Sequence, residues 1–318
     1  MLRLVLALAL AGCSPSIDDS EPATDGTDST DGTDSTDDSD SEPDTRRDPT
    51  TWPDTIGGDR PATLVTPSRY DGVTDLPVVV VLHGYTATGS FQDRYFELSQ
   101  RVDVEDFVLV IPDGARDNRG AGFWNATDVC CNFNGSTVDD SGYLLGLLDE
   151  VEAAVPIDAS RITVVGHSNG GFMSYRLACD ASERLAGIAS LAGATFDNDA
   201  DCAAAEPISV LQMHGTLDAT IQYGGGRFYV GGPRYPSALE SVQYWADVAE
   251  CGRPKDGAAV DYDTLIPGAE TTPQVWQGCS GGVDVALWTM RGSSHIPSLT
   301  ADYDEALLRW LLAQKKGE

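Results

Sequence analysis

The chain has 318 residues, enough for one α/β domain of roughly 250 residues with appendages. Fifty acidic side chains against twenty basic ones give a formal net charge of -30, with Lys255, Lys315 and Lys316 the only lysines. Such a surface repels phosphate, so a nucleic-acid partner is not expected.

Met1-Leu2-Arg3 supplies one positive charge, Leu4 to Leu10 form a short apolar run, and Leu10-Ala11-Gly12-Cys13 follows. The run is too short to span a bilayer as a helix. It reads as a signal segment over 1–13, cut before Cys13, with lipid carried on that cysteine; a plain secretory signal is the alternative. Either way the chain leaves the cytoplasm. A lipid on Cys13 makes the membrane a partner, the outer membrane in a Gram-negative source. Residues 14–50 are rich in Ser, Thr and Asp, repeat Asp-Gly-Thr-Asp-Ser-Thr, and contain almost nothing to bury. They are expected to form an extended, disordered acidic tether to a catalytic domain over 51–318.

Beyond the tether, apolar runs alternate with helical periodicity. Strands are expected at Pro77 to Leu82, Phe107 to Ile111, Ile162 to Val165, Ile188 to Ala192, Ile208 to Met213 and Val283 to Met290. Helices are expected at Asp139 to Val155, Gly170 to Ala178, Leu239 to Ala249 and Tyr303 to Leu312. The alternation predicts an α/β fold, a mostly parallel central sheet flanked by helices.

Gly166-His167-Ser168-Asn169-Gly170 is a G-x-S-x-G motif between a β-branched strand and a helix. A strand–turn–helix of this kind presents its serine as a nucleophile, and the glycines give the sharp turn room. In folds built around such an elbow, the acid and then the base follow the serine along the chain. His295 is the only one of four histidines beyond both the nucleophile and a plausible acid. Asp218 follows the Ile208 to Met213 strand and is the candidate acid. The oxyanion donors are expected to be the backbone N–H groups of Asn169 and Tyr85, the latter beside Gly84. The Tyr85 ring is a candidate floor for the acyl pocket. Trp124 is another pocket candidate, with burial in the core as the alternative.

Export makes disulfides the reading of the six cysteines beyond Cys13. Cys251 follows one helix and Cys279 precedes the strand that should pack on it, so Cys251–Cys279 is expected, with Cys179–Cys202 as the second pair. Cys130 and Cys131 are either a vicinal bridge or free thiols.

Leu82-His83-Gly84, Trp124-Asn125-Ala126-Thr127-Asp128, Cys130-Cys131, the Ser168 elbow, His214-Gly215-Thr216-Leu217-Asp218 and the Ser294-His295 turn together resemble the polyhydroxybutyrate depolymerase and feruloyl esterase family of secreted α/β-hydrolases. The resemblance runs from about Ala62 to the C-terminus. It implies hydrolysis of hydroxyalkanoate polyesters or hydroxycinnamoyl-sugar esters, without a cofactor. The reaction is expected to pass through an acyl-enzyme on a monomer, and with no C-x-x-C spacing no metal site is expected. The family's Pro-Tyr after the acid stands here as Gln222-Tyr223, which makes Tyr223 a pocket candidate. Its Gly-Gly-Gly-His-x-Trp-Pro turn stands as Gly292-Ser293-Ser294-His295-Ile296-Pro297. The same machinery serves peptidases and acyltransferases, and a non-catalytic surface-binding lipoprotein is the reading from another class.

Overall fold

The computed structural model describes residues 44–202 and 206–317. The signal segment, Cys13 and most of the expected tether lie outside the described residues. The boundary at 51 needs correction, because the folded unit begins at Asp44. Two short 3-10 turns, Thr45–Arg47 and Pro49–Thr51, are tied to the domain. Arg47 donates to the Tyr70 hydroxyl at 2.8 Å, and to the Val73 carbonyl and the Asp75 carboxylate at 2.7 Å each. The Trp52 indole donates back to the Arg46 carbonyl at 2.6 Å. Composition alone marks the segment as soluble; the two arginines supply the donors that dock it.

The chain then enters β1 (Thr55–Ile56) and β2 (Ala62–Val65), an antiparallel margin. β3 (Leu76–Leu82) is buried along its whole length. Val78, Val80 and Leu82 join the core on one face of the sheet, and Val79 and Val81 the core on the other. A strand covered on both sides needs no polar alternation, hence the unbroken apolar run. Helices α1 (Gly89–Phe96) and α2 (Val102–Glu105) lead to β4 (Val108–Ile111). A small hairpin of β5 (Ala115–Arg116) and β6 (Gly122–Phe123) precedes α3 (Asp140–Ala154). There follow β7 (Ile157–His167), α4 (Asn169–Asp180), β8 (Gly187–Leu191) and β9 (Ser209–Gly215). The chain closes with α5 (Ala238–Val248), β10 (Pro254–Asp256), β11 (Thr271–Trp276), β12 (Val285–Met290) and α6 (Ala301–Ala313).

Ten strands make one sheet in the order β1-β2-β4-β3-β7-β8-β9-β12-β11-β10. The middle six run parallel, and the two added at each margin pair antiparallel. Leu144, Leu148 and Val151 of α3, Phe172 and Leu177 of α4 and Trp245 of α5 cover one face. Phe96 of α1, Val102 of α2 and Tyr303, Leu307 and Leu311 of α6 cover the other. The chain steps from β3 to β4 on one side and later resumes at β7 on the other. The order therefore reverses between β3 and β7, and open α/β sheets hold their sites outside the carboxyl ends of the strands at such a point.

Both expected disulfides are formed, Cys179–Cys202 at the end of α4 and Cys251–Cys279 between α5 and β12. Cys130 and Cys131 form a vicinal disulfide across a cis peptide bond. Three bridges are the chemistry of an oxidising compartment outside the cytoplasm.

Candidate active site

β7 ends at His167, and Ser168 caps the start of α4 with φ 55° and ψ −119°, a backbone shape that side chains resist. The two elbow glycines make it feasible. A Cβ on Gly166 would lie 2.2 Å from the Gly170 carbonyl group, and one on Gly170 would lie 2.2 Å from the Leu82 carbonyl oxygen. The Ser168 N–H donates to the Leu191 carbonyl at 2.8 Å, which ties the turn to β8.

The acid and base loops leave the ends of β9 and β12, which are paired strands. Thr216 N–H donates to Met290 O at 2.9 Å, and Leu217 N–H to Ser293 O at 3.0 Å. Gly292 N–H donates to the Thr216 hydroxyl at 2.9 Å. These bonds bring Asp218 beside His295. The His295 Nδ1–H donates to Asp218 Oδ2 at 2.7 Å, and its Nε2 accepts from the Ser168 hydroxyl at 3.0 Å. The other Asp218 oxygen accepts from the N–H groups of Thr220 and Ile221 at 2.8 and 2.9 Å. Burial pushes the Asp218 carboxyl up, but hydrogen bonds from His214 and His295 outweigh it and hold the group well below the usual carboxylate range. An ionised carboxylate is the form that fixes the imidazole tautomer.

The three histidines that the chain order leaves aside all turn out to hold the site in place. His83 donates from Nδ1 to the Gly84 carbonyl at 2.8 Å, while its Nε2 accepts from Gly114 N–H at 2.8 Å. This fixes the Gly84–Tyr85 peptide, whose N–H points away from its carbonyl. Burial lowers the His83 pKa and keeps the ring neutral, as that tautomer requires. His167 donates from Nε2 to the His295 carbonyl at 2.9 Å and packs its ring 4.9 Å from that of His295. Burial, helped by the His295 ring, lowers its pKa to about 4. His214 lies behind the acid, with Nε2 2.8 Å from the Ile221 carbonyl and 3.4 Å from Asp218 Oδ2. Its Nδ1 accepts from Gln212 Nε2 at 3.1 Å, and Gln212 Oε1 accepts from the Tyr175 hydroxyl at 2.9 Å. The sequence signal was available: each follows a buried strand or sits in the elbow, beside a glycine.

Asn169 opens α4, and neither its N–H nor that of Tyr85 donates to another backbone group. The Asn169 side chain is a clamp, accepting from Trp124 N–H at 2.7 Å and donating to Trp124 O at 3.0 Å. Trp124 itself is corrected as a pocket residue. It is fully buried, with its indole N–H on the His83 carbonyl at 3.0 Å, so it braces the His83–Tyr85 loop from behind. Tyr223 is corrected as well. Its hydroxyl pairs with Thr289 Oγ1 at 2.9 Å, and its ring packs against the cluster joining α5 to β12. Tyr85 does line the cleft, with its hydroxyl donating to Asp117 at 2.7 Å.

The cleft over Ser168 measures about 470 Å³, and Tyr85, Phe91, Gln92, His167, Thr220 and Ile296 form its walls. Among the described residues no cluster of His, Cys, Asp or Glu is arranged to hold a metal ion.

Comparison with known proteins agrees with this geometry. The family described as phospholipase/carboxylesterase matches residues 72–229. Feruloyl esterase B of Piromyces equi is 26% identical over 239 residues, covering 72% of this chain and 41% of that protein. A probable feruloyl esterase C of Aspergillus clavatus is 27% identical over 245 residues, covering 74% of this chain and 80% of the relative. The chain thus spans about two fifths of the length of the Piromyces protein. An acetyl xylan esterase from Aspergillus awamori shares the fold, with TM-score 0.60 at 15% identity over 81% of this chain and 97% of that one. The family match runs from just before β3 through the His83–Tyr85 loop and the elbow to Asp218, and the chain has the α/β-hydrolase fold.

Proposed function

We propose that the chain is a serine esterase that cleaves carboxylic esters through an acyl-enzyme. The observation that carries the proposal is the unbroken chain from hydroxyl to imidazole to carboxylate, at 3.0 and 2.7 Å, at the floor of a mostly apolar cleft. Ser168 Oγ attacks the ester carbonyl as its proton passes to His295 Nε2. The oxyanion is held by the N–H groups of Tyr85 and Asn169, which have no backbone acceptor of their own. His295 returns the proton to the departing alcohol, and water then releases the acid by the same route in reverse. Relatives named feruloyl esterase support a feruloyl ester as substrate, and the family resemblance supports hydroxycinnamoyl-sugar or hydroxyalkanoate esters. Export and lipid on Cys13 would place this activity at a membrane surface outside the cytoplasm.

A fluorophosphonate probe tests the nucleophile, and turnover of p-nitrophenyl acetate, methyl ferulate and polyhydroxybutyrate tests the substrate class. Labelling at Ser168 with ester turnover is expected. A folded protein that neither takes the label nor cleaves any of the three would overturn the proposal.

A further inference from the structure

A second pocket of about 260 Å³ lies between the loop that carries the Cys130–Cys131 bridge and the loop that follows the acid. Asn125, Asp128, Asn132, Phe133, Tyr229 and Pro233 line it. It adjoins the cleft through one ring contact: Phe133 stands edge-on to Tyr85, a cleft residue, with ring centroids 5.5 Å apart. Both walls are held in place. Phe133 N–H donates to the Cys131 carbonyl at 2.9 Å. Opposite, Gly226 and Tyr235 pair across the base of their loop at 3.1 and 2.9 Å, and the Tyr229 ring rests on Gly232, where a Cβ would meet it at 2.7 Å.

The lining groups have largely spent their donors. Asn132 gives both amide hydrogens away, to Asn125 Oδ1 at 3.0 Å and to the Ser136 carbonyl at 2.6 Å, and Asn125 gives one to the Val138 carbonyl at 2.8 Å. Pro233 has no N–H. Asp128 is exposed, and among the described residues no Arg, Lys or His pairs with its carboxylate; partial burial, then Asp201 and Asp197, push that carboxyl up. A pocket rich in acceptors and short of donors repels carboxylates and phosphates and suits a group that carries several hydroxyls. Phe133 and Tyr229 leave 53% and 63% of their surface exposed at its rim. Flat apolar rings beside polar acceptors match a sugar, whose C–H faces pack on the rings while its hydroxyls donate to the oxygens.

We infer that this pocket is a carbohydrate subsite, which takes a sugar on the alcohol side of the ester while the acyl group occupies the cleft over Ser168. The inference rests on the esterase reading and names the leaving alcohol. The cleft is mostly apolar and suits the acyl group, whereas the hydroxyls of a sugar need the acceptors next door. A single positive charge would use Asp128 and leave the two amide oxygens idle; a sugar ring engages all three side chains.

Paired esters test this. The primary butyrate ester of glucose against cyclohexylmethyl butyrate keeps the acyl group and the ring size and removes the hydroxyls. Feruloyl arabinose against methyl ferulate compares alcohols on an aromatic acyl group, and butyrylcholine offers a cation in place of a sugar. The wild-type protein is expected to favour the sugar ester of at least one pair by about tenfold or more in kcat/KM. Asp128→Ala and Tyr229→Ala are each expected to cut that ratio by about threefold or more, chiefly through KM. Both side chains are exposed, so both variants are expected to melt within about 2 °C of wild type. A wild type without preference for either sugar ester overturns the inference, as do two folded variants that keep the ratio, or butyrylcholine cleaved more efficiently than the glucose ester. If neither variant folds, the wild-type ratios alone decide. A wild type that cleaves none of these esters overturns the esterase reading itself; one that cleaves the plain esters and gains nothing from a sugar overturns the subsite alone.

Discussion

At the scale of single residues, Ser168, His295 and Asp218 form one hydrogen-bonded chain, so under the proposed mechanism their losses should not add. Ser168→Ala and His295→Ala are each expected to lower kcat by roughly 10⁴-fold or more, with the double variant little worse than either. Asp218→Asn should cost less, because the base remains with a poorly held tautomer. Ester turnover by the four purified variants checks this, and full activity in His295→Ala would remove it from the role of base. This trio was legible in the sequence because motif and chain order constrain it jointly. Tyr223 was placed in the pocket, and Trp124 was left open between pocket and core, because an aromatic residue in a loop looks the same from sequence whether it faces a cleft or braces one from behind. A second residue-scale prediction concerns stability. Asp304 on α6 has its carboxyl pushed up to about 7 by burial and by Glu97, against the pull of Arg101, and its Oδ1 has no partner. Between its ordinary value and pH 7 the folded protein holds a proton that the unfolded chain releases, so this group weakens the fold as pH rises through that window. Asp304→Asn is therefore expected to match wild type near pH 4 and to be more stable by roughly 1–2 kcal/mol at pH 8, the figure being reduced for partial exposure. Denaturant melts at the two pH values check this; equal stability at pH 8 would refute it.

At the scale of elements, the segment carrying His295 between β12 and α6 is held from several sides. His167 holds the His295 carbonyl at 2.9 Å, Tyr95 donates its hydroxyl to the Pro297 carbonyl at 2.7 Å, and Ser298 N–H donates to Asp263 at 3.1 Å. Tyr95→Phe deletes one of these ties without altering the cleft walls. It is expected to lower kcat several-fold through looser placement of the base, with KM unchanged; steady-state kinetics check this, and a change confined to KM would show that Tyr95 serves binding instead. The central strands and large helices were legible from sequence, because burial on two faces or one leaves a periodic record. Strand β7 shows the limit: its apolar stretch is Ile162 to Val165, whereas pairing extends from Ile157 to His167. Helix α1 left little trace, since Gly-Ser-Phe-Gln-Asp-Arg-Tyr-Phe buries Gln92 and Asp93 and exposes Phe91. Marginal strands β1, β2, β10 and β11 were missed too, being short or only partly buried, with Pro273 interrupting the pattern in β11.

At the scale of the whole molecule, the folded unit starting at Asp44 should be self-sufficient. A chain beginning at Asp44 is expected to keep its melting temperature and its turnover of soluble ester. One beginning at Trp52 should melt about 2–5 °C lower, because Arg47 loses its contacts with Tyr70, Val73 and Asp75. Thermal melts of the two truncations separate the cases, and equal melting would show that the two 3-10 turns add nothing. The margins of the sheet carry a further consequence. One ends in a two-residue strand; the other ends in Pro254-Lys255-Asp256, where a residue without an N–H is followed by two exposed charges. A neighbouring copy seeking to continue the ladder finds two or three rungs at most, one of them missing a donor and the rest flanked by charge. Long sheets are templates for aggregation when their borders are open. This one is closed at both ends, so copies concentrated at a surface would meet as mutually repelling bodies with no border to share.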